Sequence, residues 1–96
     1  MTRYPPDRQT LGTVLRAFRE TAGLSQEGLG FRARLHRNYV GSAERGERNI
    51  SFDAIERWLA ALGLTWTELG MAMDQAARRG ALGRSERKVA ERRREY

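Results

Sequence analysis

The sequence predicts an all-α domain of five helices, and three observations carry that prediction. Apolar residues recur at spacings of three and four in successive windows. No stretch alternates apolar and polar residues as a half-buried strand does. Capping residues and glycines punctuate the chain at helix-length intervals. No internal repeat is present, and 96 residues make one domain rather than two.

Pro5-Pro6 blocks any helix further upstream and leaves residues 1–6 as a short arm. The first helix is predicted from about Asp7 to Ala22, with Leu11, Val14, Leu15 and Phe18 on one face and Gly23 at its end. Ser25 is a good N-cap for a second, short helix from Gln26 to about Ala33. Its only strongly apolar members are Leu29 and Phe31. Its glycines, Gly28 and Gly30, each cost about 0.8–1 kcal/mol relative to alanine, so packing must hold it in place.

Residues Arg34 to His36 connect to a third helix, Arg37 to about Arg45, closed by Gly46. Val40 and Ala43 face inward, Tyr39 sits beside them, and His36 falls at the cap. After a loop, Ser51 caps a fourth helix, Phe52 to Leu62, whose apolar side is Phe52, Ile55, Trp58, Leu59 and Leu62. Gly63 closes it. Thr65-Trp66-Thr67-Glu68 has capping-box spacing, so a fifth helix begins at Trp66 and carries Leu69, Met73 and Ala76 along one stripe. From Gly80 onward the apolar signal collapses among six basic and three acidic residues. Residues 1–79 therefore read as the folded domain, and 80–96 as a flexible basic tail.

Composition narrows the function classes. The net charge is +6, and all but one of the 18 basic residues are arginine. Arginine pairs bidentately with phosphates and with guanine edges, so the balance raises a nucleic-acid partner and leaves a solvated basic surface open as the alternative. There is no cysteine and only one histidine, which supplies neither a nucleophile–base pair nor a metal-ligand set. No glycine-rich phosphate loop is present, and no enzyme activity, metal, cofactor or small-molecule ligand is expected. No run of 18 apolar residues and no signal-peptide pattern occur, so the expected compartment is cytoplasmic and no membrane contact is anticipated.

Two short helices joined by a tight turn can offer the second helix to a DNA major groove, its N-terminal residues towards the base edges. Here the second helix would present Arg37, Asn38, Gly41, Ser42 and Arg45 outward. Arg37 suits guanine O6 and N7, Asn38 suits adenine N6 and N7, and Ser42 can bond a base or a phosphate. Arg45, Arg48 and Asn49, at the helix end and in the following loop, suit backbone contacts that set register. Gln26 places an amide at a helix N-terminus, where anions are favoured. Tyr39 divides evenly between a half-buried core residue and a DNA contact. Glu44 reads as structural, paired with an arginine, because a carboxylate facing phosphate would repel it.

Leu24-Ser25-Gln26-Glu27, Leu35-His36-Arg37-Asn38-Tyr39-Val40 and Glu44-Arg45-Gly46-Glu47-Arg48-Asn49-Ile50-Ser51 together resemble the lambda repressor/Cro-type helix-turn-helix family. The wording is closest to the controller proteins of restriction–modification systems. The resemblance covers about residues 9–76 and implies a compact five-helix, lambda-repressor-like domain. It implies a homodimer through the fifth helix, which would place Trp66, Leu69 and Met73 at the interface, and a palindromic double-stranded DNA operator. Read from the residues alone, Trp66 and Met73 fit core and interface equally well. By motif match Arg37 and Asn38 fall on base-reading positions, and Gln26, Tyr39, Arg45, Arg48 and Asn49 fall on or near the DNA backbone. Four residues depart from the family pattern: Gly28, Gly30, Ala43, and Arg34, which stands at a turn position usually held by glycine. A regulator of transcription is the favoured function. The rival is an antitoxin-like or coactivator-type protein-interaction module built on the same fold.

Overall fold

The computed structural model describes residues 7–79, all of whose regular structure is helical. The expected arm, 1–6, and the expected basic tail, 80–96, lie outside the described residues. The helices are α1 (Arg8–Thr21), α2 (Gln26–Ala33), α3 (Arg37–Glu44), α4 (Phe52–Leu62) and α5 (66–79).

Each boundary has a local cause. Asp7 Oδ1 accepts from the Thr10 N–H at 2.7 Å and starts α1, and Gly23 takes the left-handed conformation just beyond its end. Ser25 and Ser51 cap α2 and α4 through the N–H groups of Gly28 and Ala54, at 2.9 and 3.0 Å. His36 Nδ1 does the same for α3, accepting from the Asn38 N–H at 3.0 Å. The Thr65–Glu68 capping box is closed from both sides: Thr65 Oγ1 accepts from the Glu68 N–H, and Glu68 Oε1 accepts from the Thr65 N–H, each at 3.1 Å.

The core lies where all five helices meet. Leu15 of α1, Leu29 of α2, Val40 of α3, and Trp58 and Leu59 of α4 are its largest fully buried side chains. Leu69 and Met73 close it from α5. Two large apolar residues, one of them on the predicted apolar side of α4, are on the surface. Phe31 is 88% exposed on the outer side of α2, and Phe52 is 68% exposed at the start of α4, stacked on Trp66 with ring centroids 4.6 Å apart. The second helix therefore buries Leu29 and Ala33 alone among its apolar side chains.

Small residues let the helices approach closely enough to compensate. A Cβ on Gly12 of α1 would overlap the carbonyl oxygens of Ala43 and Glu44, so α1 crosses the end of α3 backbone against side-chain-free backbone. A Cβ on Gly30 would land on the Leu35 carbonyl oxygen, which folds back over α2 in the turn. The glycine that looks like a weakness in the helix is a requirement of the turn. Arg34 occupies that turn at φ 57°, ψ 45°, the left-handed region in which glycine would be unstrained.

Candidate nucleic-acid interface

The site is assembled on α3 and the loop after it. Arg37 and Asn38 occupy the first two positions of α3, and both side chains are exposed. Their outward direction follows from the burial of Val40 and Ala43 on the opposite face. A helix N-terminus favours negative charge, and here a neutral cap, His36, takes only the Asn38 N–H, so the end that carries Arg37 and Asn38 suits a polyanion.

Arg48 is held in place by two contacts. Its Nε donates to Ser42 Oγ at 2.6 Å, and its guanidinium carbon lies 4.5 Å above the Tyr39 ring centroid. Ser42 Oγ in turn donates to the Tyr39 carbonyl at 3.1 Å. The Tyr39 hydroxyl accepts from the Ser51 N–H at 3.3 Å, which ties the ring to the start of α4. Arg48 is exposed, and its bond to Ser42 uses Nε alone, which leaves the two terminal nitrogens for the fork that grips a phosphate.

This cluster corrects the expectation for Ser42. Its side chain is not on the open face: the residue is 8% exposed, roofed by Arg48, and its hydroxyl both donates and accepts within the protein. Gly41 is buried as well, covered by the Gln26 amide and the Arg45 guanidinium. The open face of α3 is thus narrower than the helical spacing implies, because the loop and α2 fold over its second turn.

Gln26 and Glu44 meet beneath that cover. Glu44 is buried, and its carboxylate accepts from Arg19 of α1 at 2.6 and 2.9 Å and from Gln26 Nε2 at 3.0 Å. Arg19 also donates to the Leu24 carbonyl at 2.7 Å. Its hydrogen bonds to Glu44 raise the guanidinium's affinity for its proton, against the opposing effect of burial. Glu44 is structural, as its sequence context implies, but its partner comes from 25 residues upstream. Gln26 keeps one amide hydrogen for solvent after the bond to Glu44.

Arg45 and Glu47 form an exposed bidentate pair, with Nε to Oε1 at 2.8 Å and Nη2 to Oε2 at 3.1 Å. The hydrogen bond raises the Arg45 pKa and lowers that of Glu47. An approaching phosphate would have to share or displace Glu47. Asn49 is exposed and stands away from this group, on the rim of a cavity of about 500 Å³ whose walls include Leu11, Ile50, Leu69 and Met73.

The residues expected at a dimer interface separate. Leu69 and Met73 fill the chain's own core and show only an edge to that cavity, whereas Trp66 is 41% exposed. Phe52, beside Trp66, completes an outward aromatic pair. Its exposure is invisible to a helical-period argument, since Phe52 shares the apolar side of α4 with Trp58 and Leu59. It stands at the first position of that helix, beyond the reach of the core.

Among the described residues no group of histidines, cysteines or carboxylates could hold a metal ion, and no helix is long and apolar enough to cross a membrane.

A capped two-helix unit with a left-handed turn, braced by three further helices and offering an arginine-bearing N-terminus, defines a helix-turn-helix protein. The chain belongs to the helix-turn-helix domain family, whose model matches residues 10–70. The proteins it is similar to include controller proteins. The control protein C.BamHI of Bacillus amyloliquefaciens is 43% identical over 58 residues, spanning 59% of this chain and 72% of that protein. The restriction–modification controller protein C.AhdI of Aeromonas hydrophila is 44% identical, with a TM-score of 0.62 over 64% of this chain and 92% of its own. The clp gene regulator ClgR of Corynebacterium glutamicum matches 93% of this chain and 95% of its own at a TM-score of 0.85, with 25% identity.

Proposed function

We propose that this chain is a transcriptional regulator that binds a palindromic operator in double-stranded DNA as a homodimer, in the manner of a restriction–modification controller protein. The observation that carries the reading is the exposed Arg37-Asn38 pair at the N-terminus of α3, on the same helix whose Tyr39 and Ser42 hold the Arg48 guanidinium. Arg37 and Asn38 would read base edges. Gln26, Tyr39, Arg45, Arg48 and Asn49 would set the register on the backbone, and Ser42 would act through Arg48. Kinship with control proteins and a gene regulator supports this use of the fold. The same kinship supports a regulator rather than an enzyme, working in the cytoplasm where its DNA would be.

Dimerisation would use the outward Phe52–Trp66 pair and the adjoining edge of α5. Two copies related by a two-fold axis would present two α3 helices to successive turns of one groove, so the operator would share that symmetry.

Selection of bound sites from random duplexes tests the proposal directly. A palindromic consensus with a guanine at the Arg37 position is the expected result, and no enriched sequence would overturn it. Eight phosphate contacts per dimer would give a slope of log K against log salt near −7, at about −0.9 per contact.

A further inference from the structure

A second arginine cluster lies outside the interface just described. Arg32 and Arg34, at the end of α2, and Arg57 of α4 converge on an open cavity of about 400 Å³, whose remaining walls are Ala33, Ala60 and Ala61. Arg57 is anchored: Nη1 donates to the Arg34 carbonyl at 3.3 Å, and Nη2 pairs with Asp53 at 3.0 Å. Among the described residues Arg32 and Arg34 take part in none of the ion pairs, and both are exposed. Arg57 already has Asp53, but Arg32 and Arg34 bring to the same concavity two positive charges that no carboxylate pairs among the described residues, which favours an anion there.

Arg34 adds a second, independent observation. It holds the left-handed turn conformation at φ 57°, where glycine would be free of strain. Backbone strain of this kind persists where the side chain is put to use. The residue it installs is an exposed arginine that lines this cavity.

We propose that Arg32, Arg34 and Arg57 form a phosphate-binding site that grips the DNA backbone beside the N-terminal end of α3. The assignment rests on the DNA-binding reading above. Arg34 is three residues from Arg37, at most about 11 Å along the chain. A major groove is about 12 Å wide, so a phosphate ridge lies within that reach of any side chain that reads the groove floor at Arg37. Guanidinium forks match a phosphodiester bidentately, and the alanine walls leave room for it to sit between them. The site would set the angle at which α3 enters the groove, from the end opposite Arg45 and Arg48.

The test uses the full chain, its R32Q/R34G variant, and the selected palindrome. Neither substitution touches the bonds of the Arg57 side chain. If both side chains hold phosphates, the salt slope becomes shallower by about 1.8 per protomer, so a fourfold rise in salt weakens the variant about 12-fold less per protomer than the parent. Replacing operator phosphates one at a time with neutral methylphosphonates gives the location. Positions exist at which neutralisation weakens the parent and leaves the variant unaffected, and they differ from those sensed by an R48A variant. An unchanged slope with an unchanged interference pattern overturns the site, including in favour of an acidic protein partner for these arginines. A parent that binds duplexes with no sequence preference overturns the operator reading itself, and this assignment with it.

Discussion

Arg19 and Glu44 form a two-pronged ion pair across the α1–α3 contact, Nε to Oε2 at 2.6 Å and Nη2 to Oε1 at 2.9 Å. A Gly12 Cβ would collide with the backbone of Glu44 itself, so the pair fastens a close crossing of α1 and α3. Its carboxylate also orients Gln26, at the start of α2. One buried charge pair thus locks together the supporting helix, the reading helix and the helix behind them.

Removing one partner leaves the other charge buried and alone. Glu44→Ala is expected to lose about 3–5 kcal/mol of stability, a large share of the roughly 5–15 kcal/mol available to a small domain. Urea unfolding of the parent, E44A and the R19M/E44L double variant checks this. The double variant, with both charges gone, should regain most of the loss. A single variant as stable as the parent would contradict the locking role.

Gly30→Ala inverts the ordinary rule for helices. In an unconstrained helix the change gains about 0.8–1 kcal/mol. Here the new methyl meets the Leu35 carbonyl, and overpacking of this kind costs about 1–3 kcal/mol. The expected outcome is a lower urea midpoint for G30A with an unchanged m-value. A gain in stability would mean that the turn lies further from α2 than the structure places it.

Most of the fold was legible in the sequence because each helix start carries its own signal within four residues. Ser25, Ser51 and the Thr65–Glu68 box act locally and cap where the spacing places them, and Asp7, read as the approximate helix start, caps α1 from one residue before it. What spacing could not supply was tertiary cover. Ser42 looks outward on a helical wheel and is hidden by Arg48, which arrives from a loop six residues later. Glu44 needs an arginine, and nothing near it in sequence singles out Arg19. Phe52 reads as part of the apolar side of α4, but it stands at the helix start beyond the core, and the apolar Phe31 lies on the outer side of α2. The arginine at position 34 was visible as a departure from the family wording. Its meaning depends on Arg57, which only the fold brings beside it.

The N-cap at Asp7 makes α1 sensitive to acid. The Thr10 backbone N–H, and after it the Thr10 side chain, lowers the Asp7 pKa below the ordinary aspartate value. A group depressed on folding contributes stability that is present above its unfolded pKa and is lost as pH falls through its folded pKa. Amide protection at the start of α1 should therefore decline below the ordinary aspartate range in the parent. In D7N, which keeps an acceptor that cannot titrate, it should not. Hydrogen exchange of the Thr10 and Leu11 amides reads this directly, and parallel profiles for the two proteins would rule it out.

Arg48 is prepared for its ligand before the ligand arrives, and that distinguishes it from an ordinary surface arginine. Arg48→Ala should weaken binding to all duplexes alike and flatten the salt slope by about 0.9 per protomer. Tyr39→Leu leaves every charge in place and removes the ring beneath the guanidinium. It should keep the parent's salt slope while losing about 0.5–1 kcal/mol of binding, the worth of an exposed cation–π contact. Fluorescence titrations at several salt concentrations separate the two effects. A flattened slope in Y39L would show that the ring, rather than the fork alone, determines how many phosphates are held.

Arg34→Gly separates stability from binding at a single position. Relief of the left-handed conformation gains about 1–2 kcal/mol, and the extra freedom of glycine in the unfolded chain returns about 0.4–1 kcal/mol of it. The variant should therefore be more stable by about 0.5–1 kcal/mol, a rise of several degrees in Tm for a domain of this size. Position 57 keeps its acceptor, since the bond runs to the Arg34 backbone carbonyl rather than to its side chain. If the guanidinium were idle, the more stable protein would bind its operator as well as the parent does. If the strain is retained for a phosphate contact, R34G melts higher and binds more weakly, with a slope shallower by about 0.9 per protomer. Thermal melts and salt-dependent titrations of this one variant decide between the two, because no account of Arg34 as a bystander predicts changes of opposite sign.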